Sequence, residues 1–299
     1  MKIGYPCLNR SIGCSPGRTF RLASYSAGRL AQAVGWNLDC LERILEFNRD
    51  NGLLFFRVSS DLVPFASHPV CLFPWPGTFA RRFAALGCFI RRSGMRISMH
   101  PDQFTLINSP DPEIFRRSVA ELSYHARVLD LLGLDLTARI QIHAGGVYGD
   151  KPASLDRFCR RFERLPAAVR QRLAVENDDR LYRIADCLLI SRRTGVPVIF
   201  DSFHHRLNSG GESAAAGLAM AAATWKKADG PPMVDYSSQK KGERKGSHAE
   251  SIDLKHFARF MAAAAGMDFD IMLEIKDKER SALRARAQLV KMKRIPEGQ

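Results

Sequence analysis

Eight side chains of this sequence have the types and placement to hold metal ions: His100, His143, Glu176, Asp201, His204, Asp235, His248 and Glu274. Most of them end or follow a short apolar run, as in "RISMH", "RIQIH", "LAVE", "VIFD" and "IMLE". A carboxylate that closes such a run must be neutral, paired or bound to a metal, because burying it unpaired is costly. Divalent ions resolve that conflict by pairing the carboxylates and taking neutral imidazole nitrogens. Mixed imidazole and carboxylate donors suit manganese, zinc or iron, whereas magnesium favours fewer imidazoles. No cysteine joins the set, which argues against a structural zinc site. Glu176, Asp201, Glu274 and His143 are the candidates for catalysis itself. His125 and His256 sit in predicted helices, His68 lies in a loop, and His205 is expected to face away from its neighbour His204.

These residues need elements that bring them to one place. Strand candidates are "KIGYPC", "LLFFRVSS", "RISMH", "RIQIHAGG", "RLAVENDD", "PVIFDSF", "MVDYSS" and "DIMLEIKD". Helical stretches alternate with them at Leu38–Asn51, Phe79–Ser93, Pro112–Leu132, Ser154–Leu165, Leu181–Thr194, Ser213–Ala228 and Leu254–Ala265. A basic helical segment at about 278–299 closes the count. Eight strand–helix units predict one α/β domain over residues 1–299, a single (β/α)8 TIM barrel. In such a barrel the C-terminal rim of the strands carries the chemistry, and six successive strands each place a His, Asp or Glu near that rim.

The bulk properties narrow the partners. The 299 residues are 45% hydrophobic and 25% charged, the profile of a globular protein. No apolar run approaches the roughly 20 residues of a membrane span. The N-terminus reads directly as a strand without an apolar leader, so a cytoplasmic monomer is expected. Seven cysteines without a CxxC pair predict reduced thiols. The net charge of +14 and the pI near 9.8 attract polyanions. Between Asp235 and His248, "QKKGERKGSH" carries Lys240, Lys241, Arg244 and Lys245, the composition of a flexible phosphate-contacting loop. Several metals on a basic chain point to phosphodiester hydrolysis, where adjacent divalent ions activate water and stabilise an in-line displacement. In "HPDQF", Pro101 turns the chain after His100 and projects Gln103 and Phe104 from the rim. A ring that wedges and an amide that bonds base edges are tools for entering a duplex.

At these residues the chain resembles the UV damage endonucleases, relatives in fold of the metal-dependent apurinic endonucleases and the xylose-isomerase-like barrels. The likeness covers "GYPCLNRSI", "SMHPDQFTLINSP", "QIHAGGVYGDK", "LAVENDD", "IFDSFHH", "YSSQ" and "LEIKDKE". It implies a DNA repair enzyme that nicks damaged double-stranded DNA immediately 5′ of pyrimidine photoproducts and leaves a 3′-hydroxyl and a 5′-phosphate. It also implies two or three divalent ions, foremost manganese, with zinc or magnesium as alternatives. By position, His100, His143, Glu176, Asp201, His204, His248 and Glu274 match family metal ligands. Gln103 and Phe104 match the pair that probes the distorted duplex, and Tyr5 and Asn9 match polar residues beside the lesion. One segment departs: many relatives carry Lys-x-His on strand seven where this chain has Met233-Val234-Asp235. Asp235 can still bind a hard cation, whereas Met233 cannot replace a lysine's charge.

Two other functions share parts of this pattern. A sugar isomerase or epimerase on the same barrel would use Glu, Asp and His on two metals, without needing +14 or a projecting Gln-Phe pair. A DNA-damage binder weakened in turnover by the strand-seven change would keep both.

Overall fold

The structure is a computed structural model and describes residues 1–297. Its strands are β1 (Ile3–Pro6), β2 (Phe55–Val58), β3 (Arg96–Met99), β4 (Arg139–His143), β5 (Leu173–Glu176), β6 (Val198–Asp201), β7 (Met233–Tyr236) and β8 (Asp270–Leu273). They pair in parallel in chain order and close into a barrel, as the alternating pattern predicts. The barrel helices are α1 (Ala27–Asp50), α2 (Ala80–Arg92), α3 (Pro112–Leu131), α4 (Lys151–Phe162), α5 (Ile184–Thr194), α6 (Ala214–Ala222), α7 (Leu254–Ala263) and α8 (Glu279–Lys291). α8 is the expected basic segment, of which residues 298–299 lie outside the described residues.

Helix α1 begins eleven residues before the expected Leu38. Ser26 caps it by accepting the Arg29 N–H, and Leu30, Ala33, Val34, Asn37, Leu38 and Leu41 line its buried face. Gly28 and Gly35 mask that periodicity in the sequence but have open space around them. Gly4 is different: a Cβ there would lie 1.4 Å from the Phe55 carbonyl oxygen, so only glycine lets β1 pack against β2.

The barrel interior is layered by the period-two alternation of each strand. At the N-terminal end, Arg96 donates to Asp270 at 2.9 Å and to the carbonyls of Pro231, Thr137 and Asp229. Above it lies an apolar layer of Phe55, Ala174, Ile199, Met233 and Met272. Two residues further along, the same parity brings Arg57, Glu176, Asp201, Asp235 and Glu274 toward the C-terminal mouth.

The thiol expectation needs one correction. Cys14 and Cys40 form a disulfide with Cα atoms 5.9 Å apart. Cys7, Cys71, Cys88, Cys159 and Cys187 are free. The paired cysteines stand 26 residues apart with no motif, and only the packing of the β1–α1 loop on α1 brings them together. Asn37 adds a second clip, bonding the backbone of Arg18, Asp61 and Leu62. Among the described residues, no helix is long and apolar enough to cross a membrane.

The layering makes Asp270 and Asp268, two of the carboxylates at the barrel's N-terminal end, unequal. Asp270 is buried, and Asp270→Ala would strand the Arg96 guanidinium, with an expected loss of about 3–5 kcal/mol in denaturant unfolding. Asp268, whose side chain is 77% exposed against the N-terminal amine, is expected to tolerate alanine with little change. Equal losses for the two variants would contradict the layered account.

Candidate active site

The mouth is organised around Glu176, the last residue of β5, which is buried. Parallel register sets Glu176 beside His143 of β4, and Asp201 of β6 beside Asp235 of β7. His100 follows β3, so its imidazole arrives at the same height. Its Nε2 lies 3.5 Å from Glu176 Oε2, and His143 Nε2 lies 3.7 Å from the same oxygen. His204 Nδ1 is 3.2 Å from the other oxygen and 3.6 Å from Asp201 Oδ2. Donor atoms therefore gather in two groups that share Glu176: His100, His143 and Glu176, and Glu176, Asp201 and His204.

Local chemistry aims these groups. Asp201 is the N-cap of the short helix Ser202–Leu207 and accepts the His204 N–H at 2.7 Å, which places His204 one turn into that helix. The "IFDSFHH" run thus supplies two donors through one cap. His205 faces the other way, buried with its Nε2 near the Glu212 carbonyl, as expected. His100 Nδ1–H donates to the Pro101 carbonyl and His248 Nδ1–H to the Glu274 carbonyl, each at 2.8 Å. Such outer bonds fix the tautomer and leave Nε2 as the free ligand atom.

Electrostatics follow from burial and mutual contact. Burial pushes Glu176 up, but His143, His100 and His204 outweigh it and hold the carboxyl well below its usual range. Burial raises Asp201 well above its usual range, opposed by His204 and reinforced by Glu176, Glu274 and Asp235. His204 would fall on burial, yet Asp201 and Glu176 carry it up to about 11.

Three residues that the sequence reading passed over complete the mouth. Arg57 of β2 is buried; it ion-pairs with Asp235 at 2.7 Å and also with Glu274. Gln141 of β4 accepts from Arg57 at 2.8 Å and donates to Glu176 and Asp235. Their signal was parity: an arginine inside "FFRV" and a glutamine inside "RIQIH" lie on the same inward face as the other mouth residues. Lys278 lines the open cavity of about 490 Å³ together with Arg57, His100, Gln103, His248 and Glu274. It holds a left-handed backbone at φ 55°.

The remaining expected residues divide. Gln103 borders the cavity, and Phe104 is 72% exposed. Asp102 shapes their loop by accepting the Phe104 N–H at 2.8 Å. Tyr5 and Asn9, which match family residues beside the lesion, lie beneath the surface of the β1 loop. Both are buried; Tyr5 donates to Asn48 at 2.6 Å and accepts from Asn9 at 2.9 Å, so the pair braces the β1 loop from within. Asp235 is turned to Arg57 and Gln141 and joins neither donor group. The basic loop is closed rather than open: Gln239 bonds the carbonyls of Lys240 and Arg244 and the N–H of Gly246. Lys240 is tied to Glu250 at 2.9 Å, whereas Lys241, Arg244 and Lys245 are exposed.

The donors fit divalent cations. Asp201 Oδ2 and His143 Nδ1 are buried without a hydrogen-bond partner, although buried polar atoms are nearly always bonded. In the metal-free protein, His204 keeps its proton beside Asp201 and Glu176, and that contribution to folding fades as pH rises. Metal binding has the opposite sign, because the ligands must release protons. The rise in Tm caused by added Mn2+ is therefore expected to be larger near pH 8 than near pH 6. Thermal melts with and without EDTA check it, and a shift that shrinks with pH would contradict the donor set.

Comparisons with known proteins agree with this geometry. Residues 1–298 match the family described as UV-endonuclease UvdE. A UV DNA damage endonuclease of Clostridium perfringens (strain 13 / Type A) is 35% identical over 286 residues, 95% of this chain and 69% of the relative. One from Bacillus cereus (strain Q1) is 33% identical over 293 residues, 95% of this chain and 92% of the relative. The crystal structure of SacUVDE superposes with a TM-score of 0.95 at 42% identity, covering 99% of this chain and 100% of that one. Endonuclease IV from Thermus thermophilus, at 19% identity, shares the fold with a TM-score of 0.58 over 84% of this chain and 95% of its own. With a match that runs from the first residue to the 298th, the chain belongs to the UV-endonuclease UvdE family.

Proposed function

We propose that this protein is a metal-dependent endonuclease that nicks damaged duplex DNA immediately 5′ of UV photoproducts and leaves a 3′-hydroxyl and a 5′-phosphate. The observation that carries the reading is the pairing of two features on one rim. One is a buried imidazole–carboxylate set with orphaned donor atoms; the other is an exposed phenylalanine beside the cavity.

Glu176, Asp201 and His204 hold one side of the centre, and His100 and His143 hold the other, with His248 and Glu274 at its edge. Divalent metal there, foremost manganese, supplies an activated water and charge stabilisation for an in-line displacement at phosphorus. Around it, the chain's own groups position the strand. Lys241, Arg244 and Lys245 meet phosphates without reading sequence. Phe104 enters the duplex where a photodimer has weakened stacking, and Gln103 bonds the bases left without partners. Selectivity then comes from the deformability of damaged DNA. A sugar epimerase has the same barrel type, but it has no use for an exposed ring next to Gln103, which lines the mouth.

The direct test is a 5′-labelled duplex with one thymine dimer, incubated with Mn2+. A single cut immediately 5′ of the dimer is expected in the wild type, and no cut would overturn the reading. Asp201→Asn keeps a good helix cap but removes a charged donor. It is expected to slow nicking about a thousandfold, the scale of ~4 kcal/mol of metal-borne stabilisation.

Lesion sensing has its own measurement. Base–aromatic stacking is worth roughly 1–3 kcal/mol, so Phe104→Ala is expected to weaken binding to damaged duplex about tenfold to a hundredfold. Undamaged duplex, held through phosphates, should weaken far less, and Phe104→Tyr should be tolerated. Equal losses on both duplexes would assign Phe104 to loop structure instead.

A further inference from the structure

Arg57 brings a guanidinium to the mouth, and its environment is unlike that of a substrate-binding arginine. It is buried at the end of β2, beneath the cavity rather than on its lip. Nη2 donates to Asp235 Oδ2 at 2.7 Å and to Gln141 Oε1 at 2.8 Å, and Nη1 donates to Glu274 Oε1. The Gln141 amide has one possible orientation here, because arginine offers only donors and the carboxylates only acceptors. Its oxygen faces Arg57, and its nitrogen faces Glu176 and Asp235. Asp235 Oδ2 thus receives two donors, one of them fully charged.

The alternative arrangement would make Asp235 a metal ligand like the carboxylates around it. Its geometry speaks against this. Among the described residues, neither donor group includes Asp235 or Glu274, and both groups close on Glu176. Asp235 Oδ2 is taken by Arg57 and Gln141; its Oδ1 lacks a hydrogen-bond partner, as Asp201 Oδ2 does, but unlike Asp201 it stands in no group of three donor residues. The guanidinium cannot leave this position without stranding a buried carboxylate, which costs several kcal/mol.

We propose that Arg57 is a built-in counter-cation of the mouth: it keeps Asp235 as its partner, so that Asp235 is not a metal ligand and divalent ions are confined to the two donor groups that share Glu176. The inference rests on the metal-dependent reading above and narrows it. Arg57 is a positioning residue. Through Gln141 it fixes the orientation of Glu176, and by holding Asp235 Oδ2 it occupies with a covalently held charge a place that a further ion would otherwise fill. Strand seven can then carry a carboxylate and the apolar Met233 at positions where many relatives carry an imidazole and a lysine.

The test counts ions rather than turnover. Purified full-length protein is equilibrated with Mn2+, desalted and measured by native mass spectrometry and by elemental analysis. The wild type is expected to hold two ions per chain. Asp235→Asn, which keeps the shape and one acceptor oxygen, is expected to hold the same number with affinity changed less than about threefold. Arg57→Met, of similar length and without charge, is expected to gain one ion per chain, taken up by Asp235 and Glu274. Arg57→Lys should keep the wild-type count, because the charge is restored. Loss of an ion in Asp235→Asn would overturn the proposal by making Asp235 a ligand, and so would an unchanged count in a folded Arg57→Met. Should Arg57→Met fail to fold, the Asp235→Asn and Arg57→Lys counts decide alone. Wild-type protein that retains no manganese would overturn the metal reading itself, and this inference with it.

Discussion

Four carboxylates converge on one barrel mouth, and the rest of the site follows from the need to neutralise them. Parallel register sets the strand ends at a common height, and strand parity turns Glu176, Asp201, Asp235 and Glu274 inward together. In a low-dielectric interior their mutual repulsion is large, so each must find a cation or a proton. The four solutions differ. Imidazoles surround Glu176. Burial raises Glu274, but Arg57 together with His248 and His100 outweighs it and draws the carboxyl down to about 2. At Asp235, burial and the neighbouring carboxylates prevail over the same arginine and lift it to about 7. Asp201, fully buried, keeps one oxygen without a hydrogen-bond partner.

The two ionic ends of the barrel show how a structural cluster differs from a functional one. At the N-terminal end, Arg96 and Asp270 are joined by backbone carbonyls and the Lys2 N–H, and the bonds close on themselves. At the mouth, orphaned donors remain on Asp201 and His143. A partly satisfied buried network is destabilising by itself, so its presence argues for a ligand that completes it. Between the two ends, the layer of Phe55, Ala174, Ile199, Met233 and Met272 separates the clusters. Met233 belongs to that layer. Met233 therefore brings no charge beneath the mouth, and the positive charge that meets Asp235 comes from Arg57 of β2.

The surroundings of the mouth divide labour between charge and shape. Lys241, Arg244 and Lys245 stand on a loop that Gln239 holds closed, so the backbone that carries them is ordered by its own bonds. Ordering that loop in advance lowers the entropy lost on binding. Phe104 stands on a turn made by Asp102, which offers the ring to solvent where most large apolar side chains are buried.

The barrel, its strand order and most donor residues were legible in the sequence, because their signals are local. Apolar runs of strand length, polar residues at their ends and a regular alternation with helices need no knowledge of what lies across the barrel. The Asp201–His204 pair was legible for the same reason, since one helix cap sets both. Other features depended on contacts between distant segments. Arg57 and Asp235 are 178 residues apart, and nothing near either names its partner. Cys14 and Cys40 meet only because a loop folds back on α1. Tyr5 matches a family residue beside the lesion, and only the fold shows its hydroxyl bonded to Asn48, 43 residues away. Sequence periodicity reports which face of its own element a residue takes, and it determined here that the carboxylates would meet. Only the closed tertiary structure decided which cation each carboxylate would meet, because pairing energy falls off within a few ångströms and depends on neighbours supplied by other strands.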